Sequence, residues 1–217
     1  MNIALIGASG FVGTAILKEA LDRGHHVTAI SRNSGNVSII NDNVTLIEAD
    51  VLDPEQVTKA VKGADVVISA YNPGWSNPNI YEEFLKGSAS IQEGTKKSGV
   101  KRYIVIGGAG SLEVAPGVQA VDAEDFPAAI KPGASAARDY QRILKEDEDL
   151  DWTFFSPAFE MHQGTSGVRT GNYRTGLDNP VFDENGRSIL SVEDLALVII
   201  DEVENPKHIK ERFTAAY

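Results

Sequence analysis

Short apolar runs alternate along the chain with longer stretches in which apolar and polar residues mix. Such runs are typical of strands buried on both faces, and the mixed stretches between them are typical of helices. Strands that alternate with helices predict an α/β fold with a doubly wound parallel sheet of the Rossmann type. The predicted strands are residues 3–6, 27–30, 44–48, 65–69, 102–106 and 152–156, with 213–217 as a candidate last strand.

The predicted helices follow the strands, and irregular stretches interrupt the pattern. Helices are predicted over 11–23, 81–97 and 136–145, and two more begin at residues 54 and 192. Asp53 and Ser191 are the predicted N-caps of the helices that begin at 54 and 192. Prolines and glycines predict a loop over 71–79 and irregular backbone over 107–134 and 158–176. Because no linker or repeat divides the chain, we interpret 1–217 as one domain with a small irregular C-terminal substrate region.

A glycine-rich turn follows the first predicted strand and opens the first predicted helix. Gly7 would allow a tight exit from the strand, Gly10 a close approach of backbone to a pyrophosphate, and Gly13 close helix–sheet packing. Free N–H groups and the helix dipole would then bind the phosphates. The spacing differs from the commoner G-x-G-x-x-G, and an ordinary strand–turn–helix corner is the alternative. The predicted cofactor-binding residues of this turn are Gly7, Ser9, Gly10, Phe11, Val12 and Gly13.

The residues after the second predicted strand bear on the choice between NAD and NADP. An acidic side chain about 20 residues past the glycines would bond the ribose 2′-hydroxyl of NAD. Here Arg32 follows the strand, and no acidic residue lies between the strand and Asp42. A guanidinium suits a 2′-phosphate because its donors form a planar fork. Arg32 therefore predicts that NADPH is preferred over NADH, with a solvated loop cation as the alternative.

Further candidates lie where later strands end, because ligands of this fold bind at the carboxyl edge of the sheet. Ala70 and Tyr71 follow the fourth strand, and they are predicted cofactor contacts. Ser156 and Pro157 close the sixth strand and are predicted cofactor contacts as well. Ser111, beyond the fifth strand, is the catalytic candidate, as a polar contact near the nicotinamide. Its alternative is a loop serine that bonds its own backbone.

Two aromatic residues are candidates for stacking on a substrate. Trp75 lies in loop 71–79, which could form a lid with an aromatic face, and Phe159 follows the sixth strand. Core packing or simple anchoring of a loop is the alternative for both. His162 is the histidine nearest to this predicted site, and we interpret it as incidental.

The composition narrows the classes of function. The chain has 217 residues, a formal net charge of −11 and a pI near 4.8, a balance that repels nucleic-acid phosphates and anionic membranes. It has no cysteine, which excludes disulfides, thiolate nucleophiles and zinc–sulfur sites. No apolar run approaches the roughly 18 residues of a membrane span, and no signal-peptide pattern is present. We expect a cytoplasmic monomer or homodimer that binds a small molecule, without metal, nucleic-acid or membrane partners.

Several motifs together resemble a known family. They are the amino-terminal Gly-Ala-Ser-Gly-Phe-Val-Gly, Gly-Gly-Ala-Gly-Ser-Leu at 107–112, Leu-Asp-Trp-Thr-Phe-Phe-Ser-Pro-Ala at 150–158, Arg-Thr-Gly-Asn-Tyr-Arg at 169–174 and Arg-Phe-Thr-Ala-Ala-Tyr at 212–217. The chain resembles the atypical short-chain dehydrogenase/reductases, and within them the bacterial NADH-flavin reductases, a group similar to biliverdin-IXβ/flavin reductase. The resemblance spans nearly the whole chain. It implies a nicotinamide cofactor, and it assigns Asp50 and its neighbour Val51 to the adenine end.

One departure from the wider superfamily bears on mechanism. Most short-chain dehydrogenases use Tyr-x-x-x-Lys, with both side chains on one helix face. No tyrosine of this chain has lysine at that offset, and Tyr140 has Leu144 there. The usual acid for carbonyl reduction is thus absent, whereas a flavin delocalises the charge it receives and needs mainly positioning. We predict an NAD(P)H-dependent reductase of FMN, riboflavin or a similar planar acceptor such as a quinone or biliverdin. The alternative is a non-catalytic NADP-binding redox sensor.

Overall fold

A central β-sheet organises the structure, which is a computed structural model that describes residues 1–39 and 41–217. The strands are β1 (Asn2–Ile6), β2 (His26–Ser31), β3 (Val44–Glu48), β4 (Val66–Ser69), β5 (Arg102–Ile106), β6 (Glu113–Ala115), β7 (Val118–Gln119), β8 (Asp151–Ser156), β9 (Arg174–Gly176) and β10 (Glu211–Ala216). The helices are α1 (Phe11–Asp22), α2 (Pro54–Val61), α3 (Ile80–Ser98), α4 (Lys131–Lys145) and α5 (Val192–Glu204).

Eight of these strands form the sheet, in the order β3-β2-β1-β4-β5-β8-β10-β9. Every pairing in it is parallel except that of β9 with β10. Parallel neighbours require crossover connections, and helices on both faces supply most of them. The predicted α/β, doubly wound, Rossmann-type fold is therefore confirmed.

Residues 3–6 of β1 are all apolar because their side chains enter two different cores. Ile3 and Leu5 belong to the core that α1 and α5 cover. Ala4 and Ile6 belong to the core on the other face, which α2, α3 and α4 cover. Side chains alternate across a strand, so a strand between two helical layers needs apolar residues at every position.

None of the helices in the described ranges is both long and apolar enough to cross a membrane.

The direction of winding reverses at β1. The chain runs from β1 outward to β2 and β3, and then returns to β4 on the opposite side of β1. In open α/β sheets, ligands bind at such a reversal, outside the carboxyl ends of the strands. The crevice between the ends of β1 and β4, which we call the switch crevice, is bordered by Gly7 and Ala70.

Both irregular stretches contain more structure than predicted. Within 107–134, β6 and β7 pair as an antiparallel ribbon, and α4 begins at Lys131 rather than at residue 136. The earlier start is possible because proline is tolerated in the first turn of a helix, where Pro132 lies. Within 158–176, β9 adds an antiparallel edge strand to the sheet. These strands have two or three residues and largely exposed side chains, so they leave no apolar run in the sequence.

Candidate functional site

Two glycines of the β1–α1 turn are required by its backbone geometry. Gly7 has a φ of +80°, and a Cβ there would lie 2.6 Å from the carbonyl oxygen of Ala70, across the switch crevice. A Cβ at Gly13 would clash with the carbonyl group of Gly7. Glycine provides both the left-handed conformation and the close approach. The first turn of α1 is thereby held tightly against the ends of β1 and β4.

Gly10 has a different role, because it faces outward. It is the N-cap of α1, with an extended φ of −80°, and no side chain caps the helix. No acidic residue occupies the first turn, and a Cβ at Gly10 would meet only the carbonyl oxygen of Gly7, at 3.3 Å. The first N–H groups of a helix lack intrahelical partners and attract anions. The turn therefore fits the pyrophosphate of a dinucleotide.

The other predicted residues of the turn line its outer surface. Ser9 and Phe11 are exposed, whereas Val12 is half-buried and packs against the core. The aromatic ring of Phe11 thus lies on the solvent side of the helix start. The turn therefore exposes backbone, the small side chain of Ser9 and the ring of Phe11.

Arg32 and Asp50 come together beyond the ends of β2 and β3. The exposed Arg32 lines a depression of about 350 Å³ with Asp50 and Gln56, and also with Glu48 and Ala49. The Asp50 carboxylate accepts a hydrogen bond from the Leu52 N–H at 2.9 Å, and the Asp50 N–H donates to Gln56 Oε1 at 3.0 Å. Asp50 therefore also fixes its own turn. Its neighbour Val51 is buried in the core under α2.

Ala70 and Tyr71 follow the end of β4 and border the crevice, and their contact with a cofactor stays a prediction. The Ala70 N–H donates to the Ile6 carbonyl at 2.9 Å, which continues the sheet by one residue. The Tyr71 hydroxyl donates to the Glu83 carbonyl at 3.1 Å, and its ring lies so close to Gly87 that a Cβ there would overlap it. Burial raises the pKa of Tyr71 to about 12. Tyr71 is thus a neutral, fixed wall at physiological pH.

Ser111 lies fully buried beside Ser156. Its hydroxyl donates to the Gly108 carbonyl at 3.1 Å, and the two serine Oγ atoms are 3.1 Å apart. Ser156 and Pro157 are buried as well. The hydroxyl of Ser111 therefore bonds to nearby backbone, as the alternative interpretation of a structural loop serine predicts. Its contact with a nicotinamide stays a prediction, as do the cofactor contacts of Ser156 and Pro157.

The two predicted stacking residues are both exposed beyond strand ends at the same edge of the sheet. Trp75 is 59% exposed and packs over Gly133, where a Cβ would lie 2.8 Å from its ring. Phe159 is 39% exposed, and its ring centroid lies 6.2 Å from that of Phe182. Phe182 was not predicted, because it stands alone in an irregular segment and no sequence pattern connects it with Phe159.

The loop 71–79 is fixed by asparagine side chains. Asn72 accepts a hydrogen bond from the Gly74 N–H at 2.7 Å, and Asn77 donates to the Glu83 carboxylate at 2.9 Å. The Asn72 contact is an Asx turn, in which the side chain replaces a backbone hydrogen-bond partner. Trp75 is thus carried by a loop that is tied to α3.

His162 has a local structural role. Its Nδ1 accepts the Gly164 N–H at 3.0 Å and caps a short 3₁₀ turn. Within residues 1–39 and 41–217, no group of histidine, aspartate and glutamate side chains has the arrangement of a metal site.

Residues 169–173, which we call the anchored segment, bind carboxylates of α1 and α5. Arg169 pairs with Glu19 at 2.8 Å, and the Tyr173 hydroxyl donates to Asp201 at 2.6 Å. The motif that carried part of the family resemblance therefore fixes the C-terminal region to the helices.

The middle of the anchored segment binds the fully buried carboxylate of Asp194. This carboxylate accepts the N–H groups of Thr170 and Gly171 at 2.9 and 3.0 Å, and the Tyr217 hydroxyl at 2.6 Å. Burial alone would raise the pKa of Asp194, but the bonds from Tyr217, Gly171 and Thr170 outweigh it and lower the pKa below its usual value. Asp194 is therefore ionised and satisfied by donors.

Comparison with known proteins supports the cofactor class. A family model described as NAD(P)H-binding matches residues 7–206. A structure from Bacteroides thetaiotaomicron, provisionally named an epimerase, is 47% identical with a TM-score of 0.91, and the match covers 100% of this chain and 96% of that one. A structure from Streptococcus pneumoniae, provisionally named an NADH-flavin reductase, is 34% identical with a TM-score of 0.85, covering 100% and 99%.

The uncharacterized Bacillus subtilis protein YwnB is 38% identical over 216 residues, which are 99% of this chain and 97% of YwnB. The names of the two structures differ on the reaction, whereas both structures share the fold of this chain and the family model gives NAD(P)H binding. The predicted resemblance to the atypical short-chain dehydrogenase/reductases, flavin reductases among them, is confirmed. The chain is a Rossmann-fold protein that belongs to the NAD(P)H-binding family.

Proposed function

We propose that this protein transfers hydride from NADPH to a flavin, such as FMN or riboflavin, or to a similar planar acceptor. The reaction would take place in the cytoplasm. The β1–α1 turn and the depression beside Arg32 support the binding of NADPH in this proposal. The choice of acceptor rests on the state of the tyrosines.

All six tyrosine hydroxyls form hydrogen bonds with other groups of the protein, and this observation carries the proposal. A carbonyl reductase of the usual type needs a tyrosine hydroxyl free to give its proton to substrate, and a positioned acid contributes about 10²–10⁴-fold. The partners are Glu83 for Tyr71, Asp139 for Tyr81, Tyr140 for Tyr103, Gln92 for Tyr140, Asp201 for Tyr173 and Asp194 for Tyr217. An acceptor that needs no protein acid fits this arrangement better than a simple ketone does.

The side chains then act by positioning. The turn around Gly10 would hold the pyrophosphate, Arg32 the 2′-phosphate, and Asp50 the adenine end. NADPH supplies the hydride when it is bound. Trp75 and Phe159 offer aromatic surface on which a planar acceptor can stack, which also excludes water from the crevice. Ser111 would reach the nicotinamide only by giving up its bond to Gly108.

The test is a set of turnover assays with NADPH against FMN, riboflavin, a quinone and biliverdin. We expect oxidation of NADPH that depends on at least one of these acceptors and on enzyme concentration. Tight NADPH binding without turnover of any acceptor would contradict the proposal and favour the non-catalytic sensor.

A further inference from the structure

A carboxylate occupies hydrogen-bond donors next to the predicted 2′-phosphate site, and we infer that Glu48 limits the preference for NADPH. The inference rests on the proposed use of a nicotinamide dinucleotide and assigns the specificity of its adenosine end. No acidic residue directly follows β2 in the sequence. The structure supplies one from the neighbouring strand.

Strand register brings Glu48 to this place. Glu48 is the last residue of β3 and pairs with Ser31, the last residue of β2. Arg32 follows Ser31 directly, and Arg32 and Glu48 line the same depression together with Asp50. An acid at the end of β3 is therefore as close to the depression as an acid at the end of β2 would be.

The Glu48 carboxylate binds Ser34 with a single oxygen atom. Its Oε1 accepts the Ser34 N–H at 2.9 Å and the Ser34 hydroxyl at 2.9 Å. These bonds lower the pKa of Glu48, so the side chain is negatively charged at neutral pH. Ser34 stands two residues from Arg32, and an N–H, a hydroxyl and a guanidinium are the donors that bind phosphate in proteins.

NADPH and NADH would therefore meet Glu48 differently. A 2′-phosphate on Arg32 faces the like charge of Glu48 and finds the donors of Ser34 occupied, so it must displace the carboxylate. The 2′-hydroxyl of NADH carries no charge and can donate to a carboxylate, as it does in NAD-specific members of this fold. Glu48 thus opposes the discrimination that Arg32 provides.

Titration calorimetry with NADPH and NADH on the full chain tests this inference. Glu48→Gln should raise the affinity for NADPH about threefold to tenfold, because it removes an exposed like charge and weakens the hydrogen bonds from Ser34. NADH affinity should change by less than about twofold or weaken. The matched control is Glu93→Gln, which makes the same charge change on an exposed residue of α3 outside the depression, and it should alter neither affinity.

A second variant separates charge from contact. Glu48→Asp keeps the charge but is one methylene too short to hold Ser34 in the same way, so its NADPH affinity should lie between those of the wild type and Glu48→Gln. Unchanged or weaker NADPH binding by Glu48→Gln would overturn the inference and leave the proposed function intact. Failure of the wild type to bind either nucleotide would remove the proposed function itself.

Discussion

The hydroxyl oxygens of Tyr103 and Tyr140 lie 3.3 Å apart in the core between the sheet and α4. Neither side chain reaches the surface, and Tyr140 also donates to Gln92 at 3.1 Å. Burial raises the pKa of Tyr140 well above its ordinary value. Tyr140 is the tyrosine of α4, the helix nearest to the Gly107–Gly108 turn, and it cannot serve as an acid at the crevice.

We therefore expect Tyr140→Phe to leave the rate of hydride transfer within a few-fold of wild type. Loss of an essential general acid would cost about 10²–10⁴-fold instead. Single-turnover kinetics are the appropriate measurement, because slow product release can conceal the chemical step. A collapse of the rate in a folded variant that still binds NADPH would show that Tyr140 acts in catalysis.

Arg32→Ala should weaken NADPH binding by about ten- to a hundredfold, the value of one charge-assisted hydrogen bond. NADH affinity should hardly change, since the lost partner is the 2′-phosphate. Calorimetry with both nucleotides measures the difference, and Arg142→Ala, which removes an exposed cation of α4, is the control. An NADPH affinity that Arg32→Ala leaves unchanged would contradict the assignment of Arg32.

Gly10→Val should abolish binding of either nucleotide while the protein remains folded. The φ of −80° at Gly10 is accessible to valine, and a Cβ meets nothing closer than 3.3 Å. The added side chain would instead point into the space that we assign to the pyrophosphate. Calorimetry reports binding, and thermal unfolding monitored by circular dichroism reports the fold. Retained affinity in a folded variant would place the phosphates elsewhere.

The parts of the site that were predicted are those that local sequence determines. The turn around Gly7 and Gly13 follows from backbone geometry within a few residues of β1. Arg32 was predicted because it directly follows a recognisable strand. These features arise from nearby residues and therefore leave a pattern in the sequence, although Gly7 also lies close to the distant Ala70.

The features of the candidate site that were not predicted depend on contacts between segments that are distant in the sequence. Ser111 is buried, and the Arg212 guanidinium, from β10, donates to its carbonyl. No pattern near Ser111 in the sequence predicts that partner. Glu48 joins the depression only through the pairing of β3 with β2. The pairing of Phe159 with Phe182 likewise requires the fold of an irregular segment.

Asp194→Asn should destabilise the protein by about 1–3 kcal/mol at neutral pH, because a buried ionised acceptor of several donors is lost. The pKa of Asp194 is depressed on folding, so its contribution is present above the pKa of the unfolded carboxyl group and is lost as the pH falls through the folded value. Urea unfolding of wild type and variant should therefore converge in acid.

The control for Asp194 is Asp22→Asn, an exposed acid of α1 that pairs with Lys18. It should change the free energy of unfolding by less than about 0.5 kcal/mol at any pH. A constant difference between Asp194→Asn and wild type down to strongly acidic pH would exclude ionisation of Asp194 as the cause.

The anchored segment also has a consequence for hydrogen exchange. Thr170 and Gly171 belong to no helix or strand, yet their amide protons are donated to a carboxylate with no exposed surface. Exchange at these two amides requires release from α5, whereas amides in ordinary exposed loops exchange almost freely. In heavy water, these two protons should persist long after those of Val168 and Arg169 have exchanged, so their protection comes from a buried carboxylate rather than from secondary structure.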